Sequence, residues 1–81
     1  MREGLTLISR SYCHLCHEME QGVRTLAEEL GFELKVLDVD ADPELIARYN
    51  DRVPVLLHVG LELSQYFLDD AKVRDYLSKI G

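Results

Sequence analysis

The sequence predicts an α/β domain: a four-stranded mixed sheet flanked by three helices, in the order β-α-β-α-β-β-α. Three observations carry this expectation. Short apolar runs rich in Val, Leu and Ile alternate with longer segments whose apolar residues recur at spacings of three and four, the marks of strand and helix respectively. The last two strand-like runs are separated by Gly60, room for a hairpin but not for a crossover helix, so they pair antiparallel. The earlier runs are joined through helices, and a β-α-β unit with its right-handed crossover makes its strands parallel. The chain has 81 residues, sized for one domain, 1–81, and it shows no repeat, linker or low-complexity segment.

Each element has its own local warrant. Leu5-Thr6-Leu7-Ile8, after Gly4, is the first strand, and Ser9 to Tyr12 is a polar loop. A helix starts at or near Cys13, with Leu15, Met19, Val23, Leu26, Ala27 and Leu30 on one apolar face. Gly31 stops it, because glycine enters the left-handed conformation cheaply. Phe32 to Val39 alternates imperfectly between apolar and polar residues and reads as the second strand. Asp40-Ala41-Asp42-Pro43 opens the second helix: an aspartate accepts the free N–H groups of the first turn, and proline suits the first helical position. Leu45, Ile46 and Tyr49 form its apolar side, and Asn50-Asp51 ends it. Val53 to Val59 is the third strand, with Pro54 at its start, where a missing N–H is tolerated. Leu61-Glu62-Leu63 is the fourth strand. Asp69-Asp70 caps the last helix, whose stripe is Val73, Tyr76, Leu77 and Ile80. His58, inside an apolar run, is expected as a hydrogen-bonded core histidine, and Glu18, Glu20, Glu28 and Glu29 as a solvated face.

Charge excludes some function classes. Fifteen acidic residues against nine basic ones leave a formal charge of −6, the wrong sign for displacing counterions from nucleic-acid phosphates or for a polybasic membrane patch. No apolar run approaches the roughly 20 residues that span a bilayer. The N-terminal residues run straight into the first strand without a long apolar leader segment, so a cytoplasmic location is the expectation.

The chemistry-bearing feature is Cys13-His14-Leu15-Cys16, placed where a strand hands over to a helix. These are the two cysteines of the chain, and a bridge between them closes too short a loop to serve as a staple. Their value therefore lies in redox chemistry or in holding a metal. In the first turn of a helix the backbone N–H groups are unpaired and the dipole is positive, which stabilises a thiolate at Cys13. The helical turn brings Cys16 back beneath it. That separates two roles: Cys13, the more exposed, attacks a substrate disulfide, and Cys16 resolves the mixed disulfide. Arg10 and His14 stand close enough in sequence to add positive charge near the sulfur, or else are solvated loop residues. Tyr12 either shields the site or stacks on a substrate, or is a half-buried loop aromatic.

The chain resembles the glutaredoxin-like branch of the thioredoxin superfamily over essentially its whole length. The matching pieces are the C-x-x-C after the first strand, Val53-Pro54 before the third, and Asp69-Asp70 at the start of the last helix. Tyr12-Cys13-His14-Leu15-Cys16 and the stretch from Asp38 to Leu45 are also similar to small bacterial glutaredoxin-like proteins. The resemblance implies a thioredoxin-like fold and thiol–disulfide oxidoreductase activity without a cofactor. It also implies a cis Pro54 facing the cysteines, and Val53 offering its backbone N–H and C=O to a substrate.

Three departures stand beside it. His14-Leu15 replaces the usual Pro-Tyr, Arg52 replaces the usual Thr before Val-Pro, and Tyr66-Phe67 replaces the Gly-Gly that lets glutathione approach the last helix. Asp69 and Asp70 match an acidic pair near the glutathione amine, and they are equally good helix caps. The expected partners are protein or small-molecule disulfides, with glutathione or a thioredoxin-type reductase as candidate electron donor, and the expected state is a monomer.

Rival readings use the same residues. Cys13 to His17 matches the C-x-x-C-H attachment pattern of c-type haem, with His17, His58 or a methionine, Met1 or Met19, to consider as axial ligands. Both cysteines with His14 or His17 supply three ligands of a zinc site that wants four, and two chains could share an iron–sulfur cluster. A non-catalytic adaptor of the same fold is the third.

Overall fold

A computed structural model describes residues 4–80 of the chain. The strands are β1 (Leu5–Ser9), β2 (Leu34–Asp38), β3 (Val55–His58) and β4 (Leu61–Gln65), and the helices are α1 (His14–Leu30), α2 (Pro43–Tyr49) and α3 (Asp70–Ile80). They follow one another as β-α-β-α-β-β-α, and the sheet order is β2-β1-β3-β4. β1 runs parallel to β2 and antiparallel to β3, with Leu7 opposite Val36 on one side and Leu56 on the other. β4 pairs antiparallel with β3 and carries a bulge beside Leu56 and Leu57.

The pleat sends alternate residues of the sheet to two cores. Leu5, Leu7 and Leu56 face Met19, Val23 and Leu26 of α1 and Val73 and Leu77 of α3, all buried. Ile8 and Val55 face the other way, toward Leu45 and Tyr49 of α2, in a smaller cluster that also holds Cys16, Val39 and Val53. The second cluster lies directly beneath the cysteine loop. α2 covers only part of this face, leaving an open groove of about 500 Å³ toward Leu57, Val59 and Gly60.

Element boundaries differ from the expected ones at a few places, each with a physical reason. Phe32 is buried but lies before β2, where the chain is still leaving α1 through Gly31 at φ 77° and a Phe32 N–H bond to the Ala27 carbonyl. Val39 leaves β2 and enters a 3₁₀ turn, Val39–Ala41, because the Asp38 carboxylate accepts the Asp40 N–H at 2.9 Å. Val59 is not a strand residue: at φ 48°, with Gly60 at φ 81°, it forms the two-residue hairpin turn whose twist suits the flanking strands. Asp42 caps α2 as expected, accepting the Glu44 N–H at 2.9 Å. Asp69 alone caps α3, accepting the Lys72 N–H at 3.1 Å, while Asp70 lies inside the helix and pairs with Arg74 at 2.7 Å. Ile80, the fourth member of the expected α3 stripe, has a side chain outside the described residues, as do Met1, Arg2 and Glu3.

His58 is buried in the larger core, edge-on to Phe32 and Tyr76. Its Nδ1 lies 3.1 Å from the Tyr76 hydroxyl, while Nε2 is buried without a hydrogen-bond partner, so the expected satisfaction is half met. Among the described residues, no helix is long and apolar enough to cross a membrane.

Candidate active site

The two cysteines sit at the start of α1. Cys13 is the N-cap, with extended backbone, and its Sγ accepts the Cys16 N–H at 3.2 Å. That bond satisfies one of the donors left unpaired at a helix start, and it aims a backbone dipole at the sulfur. The Cys13 carbonyl already accepts the His17 N–H, and its own N–H is held by the Arg10 carbonyl at 3.1 Å, so a tight turn fixes the sulfur from both sides. Cys13 is partly exposed, whereas Cys16 is fully buried against Ile8, Val39 and Val53. Both thiols are free. Burial pushes the Cys16 thiol up to about 11, helped by its hydrogen bond with Cys13, while the Arg10 backbone N–H and the Ser9 hydroxyl pull the other way.

Val53 and Pro54 stand in the segment between α2 and β3, joined by a cis peptide bond. Both are buried, and Val53 shares the cluster of Cys16, with Cys13 packed at its border. The structure thus brings four of the expected site residues, Cys13, Cys16, Val53 and Pro54, to one end of the sheet. Tyr12 stands at the rim with 78 % of its surface exposed, and its ring centroid lies 5.5 Å from the Arg10 guanidinium.

The two expected tuning residues part company. His14 points into solvent and meets Glu18 at 3.3 Å, one turn along the helix. Arg10 is neither a solvated residue nor a free charge beside the thiolate. Its guanidinium is held by Asp40 and Asn50, and Asp40 holds it yet more firmly in the charged form. Nothing local in the sequence announced those partners, which lie 30 and 40 positions away.

The replaced Gly-Gly segment holds a further surprise. Tyr66 takes φ 68°, the glycine-like left-handed conformation, despite its side chain. Its N–H donates to the Pro54 carbonyl and its hydroxyl to the Asp51 carbonyl, both at 2.8 Å, so it grips the Val53–Pro54 segment from outside. Tyr66 and Phe67 then form one wall of a hollow of about 170 Å³ whose other wall is Leu15, Glu18 and Met19 of α1. Arg52 turns away from the cysteines to pair with Glu62 and Gln65 of β4.

For the rival readings, His17 is exposed on α1, Met19 is buried in the core and Met1 lies outside the described residues. Among the described residues, no three His, Cys, Asp or Glu side chains gather as a metal-binding group.

Known proteins share this fold and much of this sequence. The family model described as a glutaredoxin-like domain (DUF836) matches residues 4–78. An uncharacterized protein of Mycobacterium tuberculosis is 33 % identical over 78 residues, covering 90 % of this chain and 80 % of the relative. The solution structure of protein Ne2328 from Nitrosomonas europaea superposes with a TM-score of 0.80 at 41 % identity, covering 94 % of this chain and 92 % of that one. Fasciola hepatica thioredoxin, at 24 % identity and a TM-score of 0.66 over 96 % of this chain and 80 % of its own, shares the fold. With its fold, its C-x-x-C at the start of α1 and a family match over nearly its full length, the chain belongs to the glutaredoxin-like family of thioredoxin-fold proteins.

Proposed function

We propose that the protein is a thiol–disulfide oxidoreductase in which Cys13 is the nucleophile and Cys16 the resolving thiol. The observation that carries this is the asymmetry of the pair: a half-buried Cys13 at a helix N-terminus, its sulfur accepting the Cys16 N–H, above a fully buried Cys16. The first site presents a sulfur to incoming substrates, and the second keeps a buried thiol in reserve.

The exchange balances as follows. The Cys13 thiolate attacks one sulfur of a substrate disulfide, a Cys13–substrate bond forms, and the other substrate sulfur leaves with the electron pair and takes a proton. Cys16 then gives its proton to solvent and attacks the Cys13 sulfur. The Cys13–Cys16 disulfide forms, and the second substrate thiolate departs. The substrate disulfide is reduced to two thiols while the protein dithiol is oxidised.

In this reading the Val53 backbone and the exposed Tyr12 ring contact the substrate, and Pro54 backs the cysteines. Substrates are protein or small-molecule disulfides, and the electron donor is glutathione or a thioredoxin-type reductase. The protein works as a cytoplasmic monomer.

The test is reaction of the reduced protein with a substoichiometric small aromatic disulfide, read by intact mass. Wild type should end as an internal disulfide, two hydrogens lighter and free of adduct, whereas Cys16→Ser should retain the adduct on Cys13. A wild type that keeps the adduct overturns the proposal.

A further inference from the structure

Arg10 ties three segments together at the cysteines. Its carbonyl accepts the Cys13 N–H at 3.1 Å, so its backbone shapes the turn that presents the nucleophile. Its Nε and Nη2 donate to the two carboxylate oxygens of Asp40 at 3.0 Å each. Its Nη1 and Nη2 donate to the carbonyl and side-chain oxygens of Asn50 at 3.1 and 2.6 Å. The planar fork of an arginine makes such paired bonds directional, and lysine cannot copy them. The side chain is 16 % exposed, so the cation is packed under the loop. Asn50 closes α2 and begins the turn that leads to Val53–Pro54, and Tyr66 grips the next residue, Asp51, from the other side.

We propose that Arg10, held by Asp40 and Asn50, is a positioning residue for the Cys13–Cys16 pair. It sets the cysteine loop against the Val53–Pro54 turn and places a cation, balanced by Asp40, near the resolving sulfur. The inference rests on the reading of the pair as a thiol–disulfide centre and goes beyond it by naming what aligns and charges the resolving step. The Arg10 main-chain N–H donates to the Cys16 sulfur, which seats this residue against the resolving thiol as well as the nucleophile. The other titratable groups around this cation are Tyr12 on its own loop, Cys13 at the N-cap of α1, His17 and Glu20 on α1, and Asp38 at the end of β2. In the resolving step the Cys16 thiolate forms the bond to Cys13, the substrate sulfur leaves with the electron pair, and the Cys16 proton has gone to solvent. A nearby cation favours the thiolate, and Asp40 moderates that effect.

The experiment is rapid mixing of the reduced protein with 5,5′-dithiobis(2-nitrobenzoate), following release of thionitrobenzoate across pH. The first phase reports attack by Cys13, and the second, first-order phase reports resolution by Cys16. Arg10→Gln should slow the second phase roughly two- to fivefold near neutrality, the scale of a single ion pair already balanced by a neighbouring carboxylate, and move its alkaline limb to higher pH. Asp40→Asn, which leaves the cation unbalanced, should move that limb to lower pH, and Arg10→Lys should keep it at the wild-type position. Melting curves of the three variants check that each is folded. A purely structural role would slow both charge variants alike. Limbs that move together, or that coincide with wild type, therefore overturn the proposal. A wild type without a second phase, matching Cys16→Ser, would instead remove the oxidoreductase reading itself.

Discussion

The unequal burial of the two thiols yields a quantitative expectation. The Cys16 thiol is lifted from 9.0 to about 11, chiefly because its sulfur is buried away from water. Each unit of that rise cuts the thiolate fraction tenfold at a fixed pH below both values, so at pH 8 ionisation alone slows its alkylation about 100-fold relative to an ordinary cysteine. Steric shielding adds to this, because Cys16 is 0 % exposed while Cys13 is only half-buried. The assay is limited labelling of the fully reduced protein with iodoacetamide at pH 8, followed by peptide mass spectrometry to place the label. Cys13 should be modified essentially to completion before Cys16 carries measurable label. Heating or denaturant should then bring Cys16 up to the rate of a free thiol. If Cys16 is labelled first, or at the rate of Cys13 under native conditions, the assignment of nucleophile and resolving thiol is refuted.

Other consequences are more local. The same raised Cys16 thiol means that the folded chain holds a proton that the unfolded chain has lost between about pH 9 and 11. Stability should therefore fall as pH rises through that window, and Cys16→Ala should flatten this slope in denaturant titrations at a series of pH values. Tyr66→Phe removes the hydroxyl bond to the Asp51 carbonyl and should lower unfolding free energy by about 0.5–1.5 kcal/mol. No loss on thermal or chemical melting would show that the bond holds nothing in place. Leu26→Ala, at a fully buried position between α1 and the sheet, should cost about 2–5 kcal/mol by urea titration, and a loss under 1 kcal/mol would contradict its place in the core.

Much of the fold was legible because it rests on local rules. The α1 stripe, the Asp42-Pro43 helix start and the Gly31 stop are short-range signals, and all three stand where those signals put them. The placing of the two cysteines was legible for the same reason, since a helix start and a three-residue spacing both lie within one stretch of chain. What stayed hidden was long-range or strained. Val59 reads as a strand residue by its branched side chain, yet the hairpin places it at positive φ, a cost the flanking pairing offsets. Tyr66 stands where the resemblance has glycine, and it adopts the glycine-like conformation because two hydrogen bonds to distant backbone hold it there. Arg10 was visible as a charge near Cys13, but its partners at the end of α2 and in the 3₁₀ turn come beside it only once the chain has folded.

The most direct test of the central claim is the redox equilibrium of the Cys13–Cys16 pair, read by thiol trapping and mass spectrometry across glutathione and dithiothreitol buffers. A reversible passage between dithiol and internal disulfide is expected, with a midpoint in the range of roughly −200 to −270 mV spanned by glutaredoxins and thioredoxin. Failure of the two sulfurs to form that disulfide at any poise would contradict the oxidoreductase account.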